Sequence, residues 1–240
     1  MIDFHSHILP GIDDGSRDID MTRQMLHMEK DVGVSYICAT PHFYAHRRSV
    51  DSFLERRDRA LAGVLELIRE DTSLPSVIPG AEVYYFIGMG RAELLTQLCI
   101  GDTDTILLEL PFDQWQEDIL DDVEEMIQKR RLNIVLAHIE RYERFQRDRR
   151  VWDKLLGMPI SFQLNCEAFV EGGSWLRGNR RQNFCLKMLA TRENCVLGTD
   201  CHNLTDRKPN MGEARSVIAK KAGDDRLRTL DEYAERLLMG

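Results

Sequence analysis

The sequence lacks several features that would settle its class at once. No apolar run approaches the roughly 18 residues a membrane-spanning helix needs. Met1-Ile2-Asp3-Phe4-His5 has neither the basic start nor the apolar stretch of a secretory leader, so a cytoplasmic location is expected. The six cysteines (Cys38, Cys99, Cys166, Cys185, Cys195 and Cys201) contain no Cys-x-x-Cys pair and no zinc-finger spacing. Several sit in apolar runs, which reads as reduced, buried thiols. Basic blocks are missing too: 32 Lys and Arg stand against 40 Asp and Glu, a net charge of −8, so nucleic acid is not an expected partner. Arginine-rich stretches such as Arg56, Arg57 and Arg59, and those within 141–150, are interleaved with acids and read as solvated helix faces. The stretch 55–59 is read that way rather than as a subunit interface, and homo-oligomerisation is left open.

What is present suits a globular chain. Of its 240 residues 43% are hydrophobic, enough for a substantial core. With no repeat and no linker, 1–240 reads as one domain. Short apolar or β-branched runs at 2–5, 35–40, 76–83, 105–110, 133–137, 161–165 and 195–199 predict strands. Segments of helical period at 16–32, 51–70, 90–98, 116–130, 148–156, 179–192, 211–221 and 229–238 predict helices, with Ser16 and Asp51 as candidate N-caps. Alternation of this kind argues for a parallel sheet. Periodicity alone leaves a barrel and an open sheet equally available.

The informative pattern lies at the strand ends. Strand one finishes in His5-Ser6-His7, and strand two runs through Thr40-Pro41 into His42. Glu82 and Glu109 lie in strands three and four, His138 follows strand five, and Asp200-Cys201-His202 follows the last. Sites in parallel α/β folds form at that edge, where the loops converge. Residues i and i+2 of a strand share a face, so His5 with His7, and Asp200 with His202, can converge. Imidazole and carboxylate donors suit divalent Mn, Zn or Fe. Glu109 is sharply placed, because a carboxylate inside a Leu-rich run is costly unless paired or metal-bound. Five of the seven histidines fall at predicted strand ends, which a scatter of structural histidines would rarely do; His27 and His46 read as uninvolved. Asp13 and Asp14 are candidate ligands or simply turn formers.

These motifs carry a family resemblance. The opening run from Met1-Ile2-Asp3-Phe4-His5-Ser6-His7 to Gly11-Ile12-Asp13-Asp14-Gly15, Ala39-Thr40-Pro41-His42, Gly80-Ala81-Glu82, Leu108-Glu109-Leu110-Pro111, Ala137-His138-Ile139-Glu140-Arg141-Tyr142 and Gly198-Thr199-Asp200-Cys201-His202-Asn203 resemble the polymerase and histidinol phosphatase (PHP) superfamily. Within it, the chain is similar to bacterial manganese-dependent tyrosine phosphatases of capsular and exopolysaccharide synthesis. The resemblance implies a distorted (β/α)7 barrel with the active site at the C-terminal ends of the strands, and three Mn ions. By position it implies one ion on His5, His7, Glu82 and Asp200, and a second on Glu82, Glu109 and His138. A third would lie on Asp14, His42 and His202, with Asp14 preferred to Asp13. Arg141 and Arg207 match the subgroup's phosphate-binding arginines, and Glu82, His138, Arg141 and Arg207 are the implied catalytic residues. The implied substrate is a phosphotyrosine protein, such as a bacterial tyrosine kinase.

Other readings stay in view. Histidinol phosphate or another small phosphoester would fit the same barrel, as would a metal-binding regulatory domain without turnover. Cys201 and Arg207 also satisfy the Cys-x5-Arg spacing of thiol phosphatases. Without glycines between them, and with Asp200 adjacent, that spacing reads as coincidence. Phe43, Tyr44, Tyr84, Tyr85 and Phe86 follow strand ends and can line a tyrosyl pocket or pack the barrel edge; packing is the preferred reading.

Overall fold

The computed structural model describes residues 1–170 and 180–239. Its strands are β1 (Ile2–Ser6), β2 (Tyr36–Ala39), β3 (His42–Phe43), β4 (Ser76–Pro79), β5 (Glu82–Tyr84), β6 (Thr105–Glu109), β7 (Asn133–Leu136), β8 (Ser161–Asn165) and β9 (Cys195–Gly198). The helices are α1 (Ile19–Asp31), α2 (Val50–Glu70), α3 (Glu117–Gln128), α4 (Arg149–Leu156), α5 (Glu167–Val170), α6 (Arg180–Thr191), α7 (Met211–Ala222) and α8 (Asp224–Met239).

All strand pairs are parallel, in the orders β1-β2-β4 and β3-β5-β6-β7-β8-β9. The two sheets are one wall interrupted twice. Between β2 and β3 lies Pro41, which has no N–H for the ladder, and between β4 and β5 lies Gly80-Ala81. Hydrogen bonds from Gly80 N to Ala39 O (2.8 Å) and from Glu82 N to Pro41 O (3.1 Å) carry the wall across the gap. The wall closes on itself where β1 meets the end of β9. Asp200 N donates to His5 O (2.7 Å), His7 N donates to Cys201 O (3.1 Å), and Ser6 bridges Cys201. The segments 2–6, 36–43, 76–84 and the four later strands therefore form a distorted seven-stranded parallel barrel.

Alternation along the strands separates two apolar clusters. Leu107, Val135, Ala137 and Val196 join Ile2, Phe4 and Cys38 inside the barrel, with Ala234 of α8. Ile106, Leu108, Ile134, Leu136, Phe162 and Leu197 face outward onto the helices. Helix α8 covers one end: Thr105 Oγ1 donates to Leu237 O (3.0 Å), and the Ser161 and Tyr233 hydroxyls lie 2.6 Å apart. The open mouth is at the opposite, C-terminal ends of the strands.

Two backbone irregularities position the site. Strand β1 pairs Asp3 with Ile37 but Ser6 with Ala39, one residue extra, so the strand bulges. Phe4 thereby joins the inner cluster while His5, next along, also reaches the barrel mouth. At the ends of β7 and β9, His138 (φ 30°) and Asp200 (φ 51°) take left-handed conformations. Such backbone is costly for non-glycine residues and tends to persist where a site needs it.

Several expectations are corrected. Asp18, not Ser16, caps α1, accepting from Met21 N at 2.8 Å; the Ser16 hydroxyl lies inside, bonded to Thr22 Oγ1 at 2.8 Å. Ser49, not Asp51, caps α2. The helix expected over 90–98 is two short 3₁₀ turns, Met89–Arg91 and Glu93–Leu98. There the Asp122 carboxylate accepts from Gly88 N, Gly90 N and the Tyr85 hydroxyl, pinning the segment against α3 in place of an α-helical turn. The strand expected over 76–83 splits at Gly80, α5 was not anticipated, and α8 begins five residues before the expected 229. Residue 179, the expected start of α6, lies outside the described residues.

Candidate metal centre

The barrel mouth gathers histidines and carboxylates from six different strand ends and one loop. His5 Nε2 and His7 Nε2 are 3.0 Å apart, so two ring nitrogens point at one spot. From that spot, Glu82 Oε2 lies 3.4 Å from each imidazole, and Asp200 Oδ1 lies 3.6 Å from His5 and 3.4 Å from His7. On its other side Glu82 meets His138, whose Nε2 is 2.9 Å from Oε1 and 3.7 Å from Glu109 Oε1. His42 Nδ1 is 2.8 Å from Glu82 Oε2 and 4.0 Å from Glu109 Oε2. Asp14 Oδ1 completes the arrangement, 3.5 Å from Nε2 of both His42 and His202.

Three overlapping groups have donor atoms close enough for one cation each: His5, His7 and Asp200; His42, Glu82 and Glu109; and His7, Asp14, His42 and His202. Eight of the nine residues expected as ligands fall in these groups; His138 belongs to none of them, His42 standing with Glu82 and Glu109 instead, although His138 Nε2 lies against both carboxylates. His7 and His42 sit at the junctions between groups, which the positional assignment did not anticipate.

Asp13 and Asp14 separate clearly. Asp13 accepts from His7 Nδ1 (2.7 Å), Gly15 N (2.9 Å) and His42 N (3.0 Å), orienting a candidate ligand without joining the donor set. Asp14 is largely exposed, and the His202 imidazole 3.5 Å away holds its carboxyl well below the usual range. Gly15 lets this loop lie flat on β1, since a Cβ there would come within 2.2 Å of His7 O.

A second tier orients the first. Gln163 Oε1 is 3.1 Å from His5 Nδ1 and accepts from His138 N at 2.6 Å; Asn165 Nδ2 donates to Asp200 Oδ2 at 3.1 Å. Sequence reasoning missed both, although their i, i+2 placement in β8 puts them on one face beside outward Phe162 and Leu164. It also missed Phe112, which is 40% exposed and stacks at 5.6 Å on the His138 ring and 5.1 Å on Tyr142. Of the aromatics singled out, Phe43 packs on Phe53 and Tyr85 bonds Asp122, as the packing reading expects. Tyr44 instead borders the centre, 5.3 Å from the His42 ring and 5.5 Å from Tyr84.

The donor set fits cations on its own chemistry. Glu82 Oε2, Glu109 Oε2, His42 Nδ1 and His202 Nε2 are buried and make no well-directed hydrogen bond, close as His42 Nδ1 stands to Glu82 Oε2. Buried polar atoms are costly in that state, and cations in the His42–Glu82–Glu109 and His7–Asp14–His42–His202 groups would satisfy them. Burial, then the neighbouring Glu82 and Asp200 charges, push the Glu109 carboxyl up to about 9. Burial also lowers His138 to about 4, leaving its imidazole neutral and free to coordinate. Burial opposes ionisation of Asp200 as well, but His5 and Arg141 hold it well below the ordinary carboxylate range.

Two arginines meet at Asp200: Arg141 Nη2 lies 2.6 Å from Oδ2, and Arg207 Nη2 lies 2.8 Å from Oδ1. The neighbouring Cys201 is fully buried, its Sγ 3.3 Å from Ser6 Oγ. Burial, with the Asp3 and Glu29 charges, raises its thiol well above the normal value, so the Cys-x5-Arg spacing is indeed coincidental. All six cysteines are free and buried. His27 and His46 lie outside the donor groups.

Comparison with known proteins places this geometry. The sequence profile of the family described as capsular polysaccharide synthesis, CpsB/CapC, matches residues 1–238. The tyrosine-protein phosphatase YwqE of Bacillus subtilis is 29% identical over 245 aligned positions, covering 99% of this chain and 91% of that protein. The tyrosine-protein phosphatase CpsB of Streptococcus pneumoniae is 25% identical, covering 96% of this chain and 94% of that one. Among solved structures, one from a study of YwqE and CpsB, described there as metal-dependent tyrosine phosphatases, superposes with a TM-score of 0.83 at 25% identity. It covers all of this chain and 94% of that one.

Proposed function

This chain belongs to the CpsB/CapC capsular polysaccharide synthesis family, and from that premise we propose that it is a metal-dependent protein-tyrosine phosphatase. The observation that carries the proposal is Glu82, whose two carboxylate oxygens face four histidines at 2.8 to 3.4 Å, with two arginines beside the cluster. Residues 1–240 act as a single catalytic domain. His5, His7, Glu82 and Asp200 would hold one ion, Glu82, Glu109 and His138 a second, and Asp14, His42 and His202 a third, with Mn the metal this reading expects. When bound, divalent ions supply Lewis-acid charge and acidify water near neutral pH.

The chain's own groups do the rest. Arg141 and Arg207 each keep one nitrogen on Asp200, which fixes both guanidinium planes and leaves further N–H donors for phosphoryl oxygens. Glu82, Asp200, Asp13 and Gln163 lock the imidazoles in place, so little reorganisation accompanies charge development. A tyrosyl leaving group, with a phenol pKa of about 10, departs with little help, and no residue is assigned as general acid. Phe112 and Tyr44 offer aromatic surface to the phenyl ring.

The physiological substrate in this reading is a phosphotyrosine-bearing kinase that controls capsular or extracellular polysaccharide synthesis, met in the cytoplasm. Among the described residues no helix is long and apolar enough to cross a membrane. The small-phosphoester and inactive-domain readings are less favoured, because the similar proteins are named tyrosine phosphatases and eight of the nine expected ligands fall in donor groups, with His138 beside Glu82. The test is Glu82→Gln and His138→Ala, with bound metal, circular dichroism and phosphotyrosine turnover measured on each. Loss of metal and turnover in a folded chain is expected; normal turnover in either variant contradicts the reading.

A further inference from the structure

Next to the metal centre runs a groove of about 350 Å³, bordered by Ile12, Asp14, His42, Tyr44, Arg47 and Arg48. That volume is enough for one or two side chains and lies at the small end of ligand-binding clefts. The groove shares His42 and Asp14 with the candidate ligands, so an occupant would be a direct neighbour of a substrate phosphate.

Its charges are unequal. Asp13 is committed to His7, Gly15 and His42, and Asp14 to His42 and His202. The arginines are not committed in this way. Arg141 and Arg207 both pair with Asp200, whereas among the described residues neither Arg47 nor Arg48 has a carboxylate within 4.0 Å. Arg47 is held in place without a carboxylate: its Nε donates to His46 Nε2 at 3.3 Å, and its guanidinium lies 4.7 Å over the Tyr44 ring. Backbone bonds from Arg47 N (2.9 Å) and Arg48 N (3.2 Å) to Tyr44 O form the turn that presents both side chains at the groove. Two arginines without a carboxylate within 4.0 Å, the first oriented by His46 and Tyr44, stand out in a chain of net charge −8. A local cationic patch of this kind draws an anion to one place on an acidic surface.

We propose that this groove is a subsite for a second anionic group on the same peptide, adjacent to the phosphotyrosine and bound by Arg47 and Arg48. The inference rests on the phosphatase reading above and names the substrate class more closely: phosphotyrosine segments with an acidic or phosphorylated neighbour. Geometry supports adjacency, because the Tyr44 ring lies 5.3 Å from His42 and carries the Arg47 guanidinium at 4.7 Å, so one ring links the metal centre to the arginine. Successive Cα atoms are about 3.8 Å apart and a residue two along shares the phosphotyrosine's face, so a flanking side chain one or two positions away stays within the groove beside the centre. A carboxylate and a phosphate offer the same chemistry here, a charged oxygen acceptor for guanidinium.

The test uses the metal-loaded chain and phosphotyrosine peptides whose neighbouring residue is Gln, Glu or the non-hydrolysable phosphonomethyl-phenylalanine. Each charge-assisted contact should favour the anionic peptides, so the kcat/KM ratio of Glu over Gln is expected near tenfold. In the Arg47→Gln/Arg48→Gln double variant that ratio should fall to about one, and the salt sensitivity of the preference should vanish. Dissociation constants for fully non-hydrolysable versions of the peptides should follow the same order. A preference for the phosphonate without one for Glu identifies a phosphate as the natural neighbour. Equal turnover of all flanks by the unaltered chain overturns the subsite and leaves the phosphatase reading standing. So does a preference that survives in the double variant. Failure to hydrolyse phosphotyrosine in any peptide removes the phosphatase reading, and the subsite with it.

Discussion

Gln163 and His5 are coupled through one side-chain oxygen: Oε1 of Gln163 lies 3.1 Å from His5 Nδ1 and also accepts the His138 backbone N–H at 2.6 Å. A single amide thus sets the ring of one candidate ligand and the left-handed backbone of another. Acceptors behind metal-binding imidazoles fix tautomer and orientation, and their loss typically costs 10- to 100-fold in affinity. Gln163→Leu is therefore expected to weaken metal binding by roughly 10- to 100-fold with the barrel intact, read by competition with a coloured chelator. Unchanged affinity would mean that the carboxylates alone orient His5.

Asp200 holds Arg141 and Arg207 by opposite oxygens, so each guanidinium is oriented before substrate arrives. Lysine keeps the charge but loses the planar fork. Arg141→Lys should retain its metal and lose roughly 10²- to 10³-fold in kcat, the scale of a removed oxyanion donor. Steady-state kinetics on a phosphotyrosine peptide, beside metal analysis, checks both halves.

Cys201 sits between two candidate ligands, yet its thiol is buried against Ser6 and held protonated. Cys201→Ser is expected to stay within about threefold of normal activity, because no step uses the sulfur. Alkylating reagents should leave the native enzyme active; loss of turnover in Cys201→Ser that chelator does not reproduce would restore the thiol reading.

Glu140 gives a pH signature separate from catalysis. Burial, opposed by the Arg141 charge, raises its carboxyl from 4.5 to about 7 in the folded chain. Below pH 4.5 the group is neutral in both states and costs nothing. As pH rises towards 7 the unfolded chain ionises first, so folding loses stability, and the loss levels off above that at about 3 kcal/mol. Glu140→Gln should remove this dependence. Its unfolding free energy relative to the unaltered chain should rise by about 3 kcal/mol between pH 4.5 and 8, in urea melts of metal-free protein. A flat difference would show that Glu140 is solvated.

Much of this architecture is legible in the residues, for physical reasons that can be named. Leu107 and Glu109 share a face by strand period, so a carboxylate in an apolar run had to point into the barrel mouth. The bulge after Asp3 was not legible, because it exists only in register with β2. Nor was the division between Asp13 and Asp14, which depends on where His7 and His42 come to rest. Ser16 and Asp18 are both good caps on paper; burial of the Ser16 hydroxyl against Thr22 decides between them. The segment 90–98 carries helical periodicity, yet Asp122, distant in sequence, captures its amides. Gln163 and Asn165 were readable from their spacing in β8 but carry no ligand signature of their own.

The most direct test of the central claim is hydrolysis of a phosphotyrosine peptide beside phosphoserine and histidinol phosphate, using protein stripped by chelator and then reloaded with Mn, Zn, Fe or Mg. The account predicts no turnover in the stripped chain and recovery on metal addition, strongest with Mn and with phosphotyrosine. Turnover that is indifferent to chelator, or absent under every metal, would contradict it.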